Sequence, residues 1–203
     1  MIIIIKFVCK KCGGCSTDFG PMNNLPIFTS EIYILKKEAK KRKLDLGIIP
    51  LDVFYDKNVD LYFSSSFAMS QNPCKFLVNN LCTIYEIRPW TCRMYPVVFD
   101  PFIKDFKLDR KCKYTKEVAN QEISKKTIKE IFGETTYIAL LEVEKHHRLL
   151  YKYLEKVFKT REIHEIKYYN KKMKVLPFFE YLTTLKIIEK EDKEIIDSYC
   201  KKN

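Results

Sequence analysis

The sequence has few residues that loosen a folded chain and no long apolar run at its start. Of 203 residues only five are Gly and eight are Pro, so long disordered or low-complexity segments are not expected. The opening "MIIIIKFV" has four consecutive Ile and no basic segment before them, so it predicts neither a signal peptide nor a membrane span. It instead predicts a first β-strand.

Common enzyme motifs are also missing. There is no phosphate-binding glycine loop, no nucleophile elbow and no dinucleotide fingerprint. The three histidines, at positions 146, 147 and 164, have no spacing typical of metal ligands and predict surface or packing roles. The sequence alone therefore assigns no reaction.

Composition and charge indicate a folded domain with a basic surface. Hydrophobic residues make up 46% of the chain, enough for a packed core, and the net charge is +11. The basic excess is spread over the chain, with 18 basic and 11 acidic residues in 1–115 and 19 and 15 in 116–203. A lysine-coated soluble surface explains this better than nucleic acid does, and the run "KKEAKKRK" at 36–43 predicts a solvated helix face. We expect a cytoplasmic protein without a membrane partner.

Hydrophobic periodicity predicts an α+β fold in two parts. Residues 1–115 are predicted to form a small cysteine-rich domain with two hairpins, one at 74–87 around an Asn79-Asn80 turn and one at 97–109. Residues 59–69 are also predicted to be β-structure. Residues 116–203 are predicted to form an α-helical extension.

Helices are predicted in both parts. The first begins at a Thr29 or Ser30 cap, and Gly133 is predicted to separate two of the later helices. The predicted ranges are 29–46, 116–132, 135–160, 178–189 and 191–201.

Eight cysteines dominate the chemistry of the sequence. Cys9, Cys12 and Cys15 follow the spacing C-x2-C-x2-C, which lets successive thiolates turn toward one point, helped by Gly13 and Gly14. This spacing occurs in ferredoxin-type iron–sulfur loops, whereas zinc more often uses paired C-x2-C units. In a reducing cytoplasm such thiols favour metal or redox chemistry over disulfides.

A second group of cysteines comprises Cys74, Cys82, Cys92 and Cys112. Pro89 is suited to the first turn of a short helix that carries Cys92, and Pro96 is suited to end it. Arg88 and Arg93 lie beside Cys92 and are predicted to offset the negative charge of thiolates around a cofactor. Cys200, near the C-terminal end, is predicted to be incidental.

The predicted hairpin raises a conflict for two of these ligands. In a regular ladder around Asn79-Asn80, Leu77 pairs with Cys82 and Cys74 pairs with Tyr85, so the two thiols point to opposite faces. Either Cys74 lies outside the ladder or the two sulfurs serve different sites.

The cysteine pattern resembles that of the YkgJ-type cysteine-cluster proteins, also called CxxCxxCC proteins, which carry a zinc- or iron-chelating domain. The resemblance covers residues 7–115 and implies a metal or iron–sulfur site held by cysteines. Flagellin lysine N-methylases carry a similar domain. The matching residues after the first loop are Cys82-Thr-Ile84-Tyr85, Arg88-Pro89, Cys92-Arg93, Tyr95-Pro96 and Cys112.

The chain departs from the family pattern at Ser16, where the family usually has a fourth tandem cysteine. Seven cysteines leave two four-ligand sites short by one ligand. Three hypotheses follow: one four-cysteine site with spare thiols, a full site plus a three-cysteine cluster with an open iron, or a serine oxygen that completes the set.

The favoured function is a cysteine-ligated metal protein that holds an iron–sulfur cluster of the 4Fe-4S kind, or zinc, with an unidentified protein or redox partner. One alternative is a protein lysine N-methyltransferase that uses adenosylmethionine. The other, less favoured, is a nucleic-acid-binding module with a structural zinc site.

Overall fold

The computed structural model describes residues 5–17, 24–70, 73–100, 105–118, 123–170 and 172–200. The chain forms two compact units, each built from two stretches of sequence. The cysteine unit comprises residues 1–23 and 71–147, and the sheet unit comprises 24–70 and 148–203. The functional division of the sequence at residue 115 stays a prediction.

Short strands and hairpins dominate the first half of the chain, and longer helices dominate the second half, which confirms the α+β class. The helices are α1 (Gly14–Thr17), α2 (Thr29–Lys41), α3 (Trp90–Met94), α4 (Lys125–Phe132), α5 (Glu134–Thr160), α6 (Phe178–Leu185) and α7 (Lys190–Cys200). Two 3-10 helices span Tyr85–Ile87 and Lys113–Glu117.

The strands form four small sheets. They are β1 (Leu25–Ile27), β2 (Ile48–Pro50), β3 (Phe54–Asp56), β4 (Leu61–Ser64), β5 (Phe67–Met69), β6 (Leu77–Val78), β7 (Leu81–Cys82), β8 (Val97–Asp100), β9 (Asp105–Leu108), β10 (Ile163–Glu165) and β11 (Val175–Pro177). The sheet orders are β1-β5-β2, β10-β3-β4-β11, β6-β7 and β8-β9.

The core of the cysteine unit lies between the β8–β9 hairpin and two helices. Val97 and Phe106 of the hairpin pack with Ile128 of α4 and Leu140 of α5. The hairpin was predicted, and so was the break between α4 and α5 at Gly133, which has φ +88°. Burial of these aliphatic and aromatic side chains is the main favourable term for folding.

The predicted helix at 116–132 is wrong in its first part. Residues 113–117 form a 3-10 helix, and α4 begins only at Lys125, where the Ser124 hydroxyl accepts from the Thr127 backbone N–H at 3.4 Å. Apolar spacing alone did not reveal this serine cap.

The sheet unit buries a larger core under its four-stranded sheet. The fully buried Phe63 of β4 stacks on Tyr181 of α6 with ring centroids 4.3 Å apart. The segment predicted as β-structure at 59–69 forms β4 and β5, which lie in different sheets. Helix α2 was predicted, but its N-cap is Phe28, whose backbone N–H donates to the Glu31 carboxylate at 2.9 Å.

The predicted first strand is wrong where the structure describes it. Residues 5–8 form no strand, and residues 1–4 lie outside the described residues. The Phe7 backbone N–H instead donates to the Ile131 carbonyl at 2.7 Å, and its ring lies 5.3 Å from that of Phe132. The segment before Cys9 is thus attached to the end of α4.

Within the described ranges, no helix is long and apolar enough to cross a membrane.

Helix α5 contains a buried histidine that makes stability depend on pH. His146 is 3% exposed, and burial, with the neighbouring charge of His147, lowers the pKa of His146 to about 3. Burial also lowers the pKa of His147, whose ring stacks on Phe99. The ordinary pKa of histidine is 6.5, so below that pH the unfolded state binds the proton more readily than the folded state does. The stability of the fold therefore decreases as the pH falls from 6.5 toward 3.

We expect His146 to contribute a loss of about 2 kcal/mol in the free energy of unfolding between pH 7.5 and pH 5.0. Urea-unfolding midpoints at these two pH values, compared for the parent chain and His146→Met, measure the contribution. The His146→Met chain is expected to show a smaller decrease. His164→Gln, at an exposed histidine, serves as the control and should retain the parent's pH dependence. Equal pH dependence in parent and His146→Met would contradict the assignment.

Candidate metal centre

The first cysteine loop is shaped by two left-handed residues and a single helical turn. Lys11 has φ +53° and Gly13 has φ +74°, so the chain turns immediately before and immediately after Cys12. The Ser16 backbone N–H then donates to the Gly13 carbonyl at 2.9 Å within α1. The turn leaves the thiols of this loop at the protein surface, where Cys9, Cys12 and Cys15 are all exposed.

The hairpin that carries Cys82 has the predicted register. Asn79 and Asn80 have φ +50° and +63°, as a two-residue turn requires, and Leu77 pairs with Cys82. Cys74 lies outside the ladder, because its carbonyl accepts from the Leu77 N–H at 2.9 Å in a turn of its own. The alternation of strand faces therefore does not separate Cys74 from Cys82, and the first of the two alternatives is confirmed.

Two backbone contacts join the first loop to this hairpin. The Cys74 N–H donates to the Ser16 carbonyl at 2.8 Å. A Cβ atom on Gly13 would lie 3.2 Å from Asn80 Oδ1 and 3.3 Å from Asn80 Cα, so only glycine fits there without displacing the turn. Cysteines separated by about sixty residues in sequence are thereby held close in space.

Cys112 is positioned at the start of the second 3-10 helix. Its carbonyl accepts from the Thr115 N–H at 2.9 Å and from Thr115 Oγ1 at 2.7 Å. Burial raises the pKa of the Cys112 thiol, and the charges of Cys12 and Cys9 raise it further. Cys112 thus lies within electrostatic reach of the first loop.

Similar interactions raise the pKa of two other thiols. For Cys15, desolvation of the sulfur by surrounding protein atoms is the main cause even though the residue as a whole is exposed; Cys9 and Cys12 add to it, while a hydrogen bond with Ser16 acts in the opposite direction. Burial also raises the pKa of Cys74, and Cys82 and Cys15 contribute. Thiolates placed this close repel one another, and a bound cation would remove that repulsion.

Cys92 and the two predicted arginines belong to one compact turn around α3. The Arg93 guanidinium donates to the carbonyls of Arg88 at 2.7 Å and Glu86 at 2.9 Å. Arg88 Nε donates to the Tyr85 carbonyl at 2.8 Å, and its guanidinium lies 3.5 Å from the centre of the Tyr85 ring. Both arginines therefore hold the backbone of the segment that carries Cys92, and their predicted role toward a cofactor stays a prediction.

Tyr95 also lies close to this centre. Burial raises its pKa, and Asp109, Cys112, Cys15 and Cys12 raise it further. The phenol therefore lies among cysteines from two separate segments. Its place in the motif block Tyr95-Pro96 was the signal available in the sequence.

The thiols are gathered without forming a closed ligand set. Among the residues that the structure describes, no three His, Cys, Asp or Glu side chains converge closely enough to hold a metal ion as they stand. All eight cysteines are free thiols. Soft thiolate donors suit zinc and iron, so the donor chemistry fits such a metal, and binding requires the thiols to move closer together.

A groove of about 850 Å³ lies beside the segment that carries Cys112. Its lining includes Asp109, Arg110 and Thr115, and Thr115 is hydrogen-bonded to the Cys112 carbonyl. The groove falls in the usual size range of small-molecule sites. This side of the centre therefore has space for a small molecule.

The contact between Gly13 and Asn80 can be tested by substitution. Gly13→Ala is expected to destabilise the metal-binding conformation of the first loop by about 1 to 2 kcal/mol. Zinc binding, measured by chelator competition, should therefore weaken about five- to thirtyfold. Gly133→Ala is the matched control, because Gly133 also has positive φ but a Cβ there meets no described atom within 4 Å. It should lose stability without losing zinc affinity, and equal weakening by both substitutions would contradict the proposed packing.

Comparison with protein families identifies the chain. Residues 8–121, more than half of its length, match the family described as "CxxCxxCC: Putative zinc- or iron-chelating domain". A search of curated proteins and a search of solved structures each found no match, so nothing supports the resemblance to flagellin lysine N-methylases. The match supports metal binding without distinguishing iron–sulfur from zinc. The chain belongs to the CxxCxxCC family of zinc- or iron-chelating domains.

Proposed function

We propose that this protein holds an iron–sulfur cluster through cysteine thiolates, with zinc as the alternative metal. The observation that carries the proposal is the hydrogen bond from the Cys74 N–H to the Ser16 carbonyl at 2.8 Å, which holds the first cysteine loop beside the segment of Cys74 and Cys82. Burial, with smaller contributions from neighbouring cysteines, raises the pKa of Cys15, Cys74 and Cys112. The proposed ligands come from the set Cys9, Cys12, Cys15, Cys74, Cys82, Cys92 and Cys112.

The first loop favours iron–sulfur over zinc. Three cysteines at two-residue intervals occur in ferredoxin-type loops, and here they are exposed, which leaves them accessible to incoming iron and sulfide. A bound cluster would supply electron transfer or an open iron, whereas zinc would supply a structural link or a Lewis acid. Which of the two is bound, a cluster or zinc, therefore decides whether the domain has redox chemistry.

The number of ligands in the site depends on the role of Ser16. Its hydroxyl lies 3.7 Å from the Cys15 sulfur, so it stands beside a proposed ligand where relatives usually carry a cysteine. A serine oxygen could complete the set or leave one iron open. Ser16→Ala followed by spectroscopy of the loaded protein separates these hypotheses, because loss of the hydroxyl changes a site that the serine oxygen completes but not a site in which one iron is open.

The arginines are proposed as positioning residues. Their hydrogen bonds to carbonyls of residues 85, 86 and 88 fix the turn before α3, and α3 carries Cys92. Their positive charge also opposes the negative charge of a thiolate-bound cofactor. A reducing cytoplasm keeps such thiols free, and the expected partner is a protein that supplies metal or exchanges electrons.

Metal analysis of anaerobically purified protein tests the proposal directly. We expect visible absorbance of a cluster with stoichiometric iron and sulfide, and a loss of both in Cys12→Ala. Cys200→Ala is the matched control, because Cys200 lies in α7 of the sheet unit and should not affect the metal.

A colourless protein with stoichiometric zinc would replace the iron–sulfur assignment by the zinc alternative. Protein without stoichiometric iron or zinc after anaerobic isolation and reconstitution would contradict cysteine-based metal binding altogether.

Metal loading should release protons and depend on pH. Because the pKa values of Cys15, Cys74 and Cys112 are raised, these thiols are protonated in the metal-free protein at neutral pH. Binding must displace the protons, so apparent zinc affinity should rise between pH 6.5 and pH 8. Chelator competition across this range, with proton release followed in weakly buffered solution, measures both effects. Affinity that does not change with pH would argue against thiol ligands.

A further inference from the structure

The four-stranded sheet of the sheet unit has a second face that the core does not use. Its core-facing side chains come from alternate positions, among them Phe54 and Phe63. The residues between them therefore lie on the opposite face. By strand register, one row crosses all four strands in the order His164, Tyr55, Tyr62 and Val175.

This row is aromatic and reaches solvent. The rings of Tyr55 and Tyr62 lie 4.9 Å apart with an interplanar angle of 36°, and both residues are half-buried. Tyr55 is held in place by its hydroxyl, which donates to Asp60 at 2.9 Å. The His164 side chain is 54% exposed. The row of His164, Tyr55, Tyr62 and Val175, here called the aromatic row, is thus partly exposed to solvent on the outer face.

A basic loop connects the two edge strands that carry the ends of this row. Residues 166–174, "IKYYNKKMK", contain four lysines and no acidic residue. Lys167, Lys172 and Lys174 are exposed, and Lys171 lies outside the described residues. Tyr168 is 91% exposed, which is unusual for an aromatic ring of this size.

Acidic groups near the aromatic row do not cancel this positive charge. Glu162 forms an ion pair with Lys57 at 3.0 Å, and its carboxylate lies 3.3 Å from His164 Nε2. Asp60 accepts the hydroxyl of Tyr55. Glu165 pairs with Phe54 in the register, so it belongs to the other face of β10. Lys167, Lys172 and Lys174 are exposed and form no ion pair with the residues that the structure describes, so this end of the sheet keeps a positive charge.

The exposed groups match single-stranded nucleic acid better than a lipid surface. Lysines can follow a phosphate backbone while aromatic rings stack on bases. Membrane insertion favours apolar side chains at a loop tip, but Met173 is half-buried and its sulfur accepts from the Asn170 N–H at 3.5 Å. The exposed groups of this loop are instead tyrosine rings and lysine ammonium groups.

We propose that the aromatic row and the described loop residues 166–170 and 172–174 form a binding surface for single-stranded nucleic acid. The surface lies in the sheet unit, so it does not depend on the cysteine centre for its residues. It also differs from a zinc-knuckle interface, since its contacts would be ring stacking and phosphate pairing without a metal.

Fluorescence anisotropy with labelled oligouridine and oligothymidine of about 12 nucleotides tests the proposal. The full chain is expected to bind with an affinity that falls as salt rises. Tyr168→Ala should weaken binding about fivefold or more through lost stacking. Lys167→Ala/Lys172→Ala should reduce the slope of log affinity against log salt by about 1.4.

Matched controls lie elsewhere in the same unit. Tyr33→Ala, at a 40% exposed tyrosine of α2, and Lys190→Ala/Lys193→Ala, at exposed lysines of α7, should leave binding unchanged. Stronger binding of oligouridine than oligothymidine would indicate RNA as the ligand, and the reverse would indicate DNA.

Three results would overturn the proposal. The first is no salt-dependent binding of either oligonucleotide. The second is binding to vesicles containing phosphatidylserine in place of oligonucleotides. The third is loss of oligonucleotide binding in Cys12→Ala, which would place the interface at the cysteine centre. Retained binding in that variant supports the sheet surface even if the proposed metal function fails.

Discussion

The constraint on which the cysteine unit depends is that cysteines from distant segments are held close together before a metal binds. Cysteines that are far apart in sequence are held together by backbone contacts, the Cys74 N–H to Ser16 carbonyl bond and the approach of Gly13 to Asn80. These contacts cost little, since they involve backbone atoms that need partners anyway. Burial of the sulfurs, with a smaller contribution from neighbouring cysteines, raises the thiol pKa values, so these thiols keep their protons in the metal-free state. A metal and those protons compete for the same sulfurs.

Local signals predicted several parts of this fold. Asn79-Asn80 specified a two-residue turn, because asparagine tolerates positive φ, and the turn fixed the pairing of Leu77 with Cys82. Gly133 marked a helix break because its φ is positive. Prediction failed where the hydrogen-bond partner of a segment lies far away in the sequence. Phe7 bonds to the end of α4 instead of to a strand, and no local pattern contains that contact.

In the candidate centre, too, local sequence signals predicted some features, and contacts between distant residues determined the others. Cysteine spacing predicted which residues to consider, and the family block added the rest. The proximity of Cys112 to the first loop arises from tertiary packing, so the spacing of a hundred residues could not reveal it. Arg93 was predicted to offset cofactor charge, yet its visible contacts are with backbone carbonyls. A guanidinium has donors for both tasks, which is why sequence cannot separate them.

A buried charge on the core face of the sheet fixes which residues of β3 lie on the outer face. Asp56 of β3 is fully buried and accepts hydrogen bonds from Tyr181 at 2.5 Å, from Arg161 and from the Asn58 N–H. A one-residue slip of β3 would remove this carboxylate from its partners and turn Tyr55 inward. Breaking such a pair leaves an uncompensated buried charge, which is strongly unfavourable. The ion pair therefore specifies the register that keeps Tyr55 beside Tyr62 on the outer face.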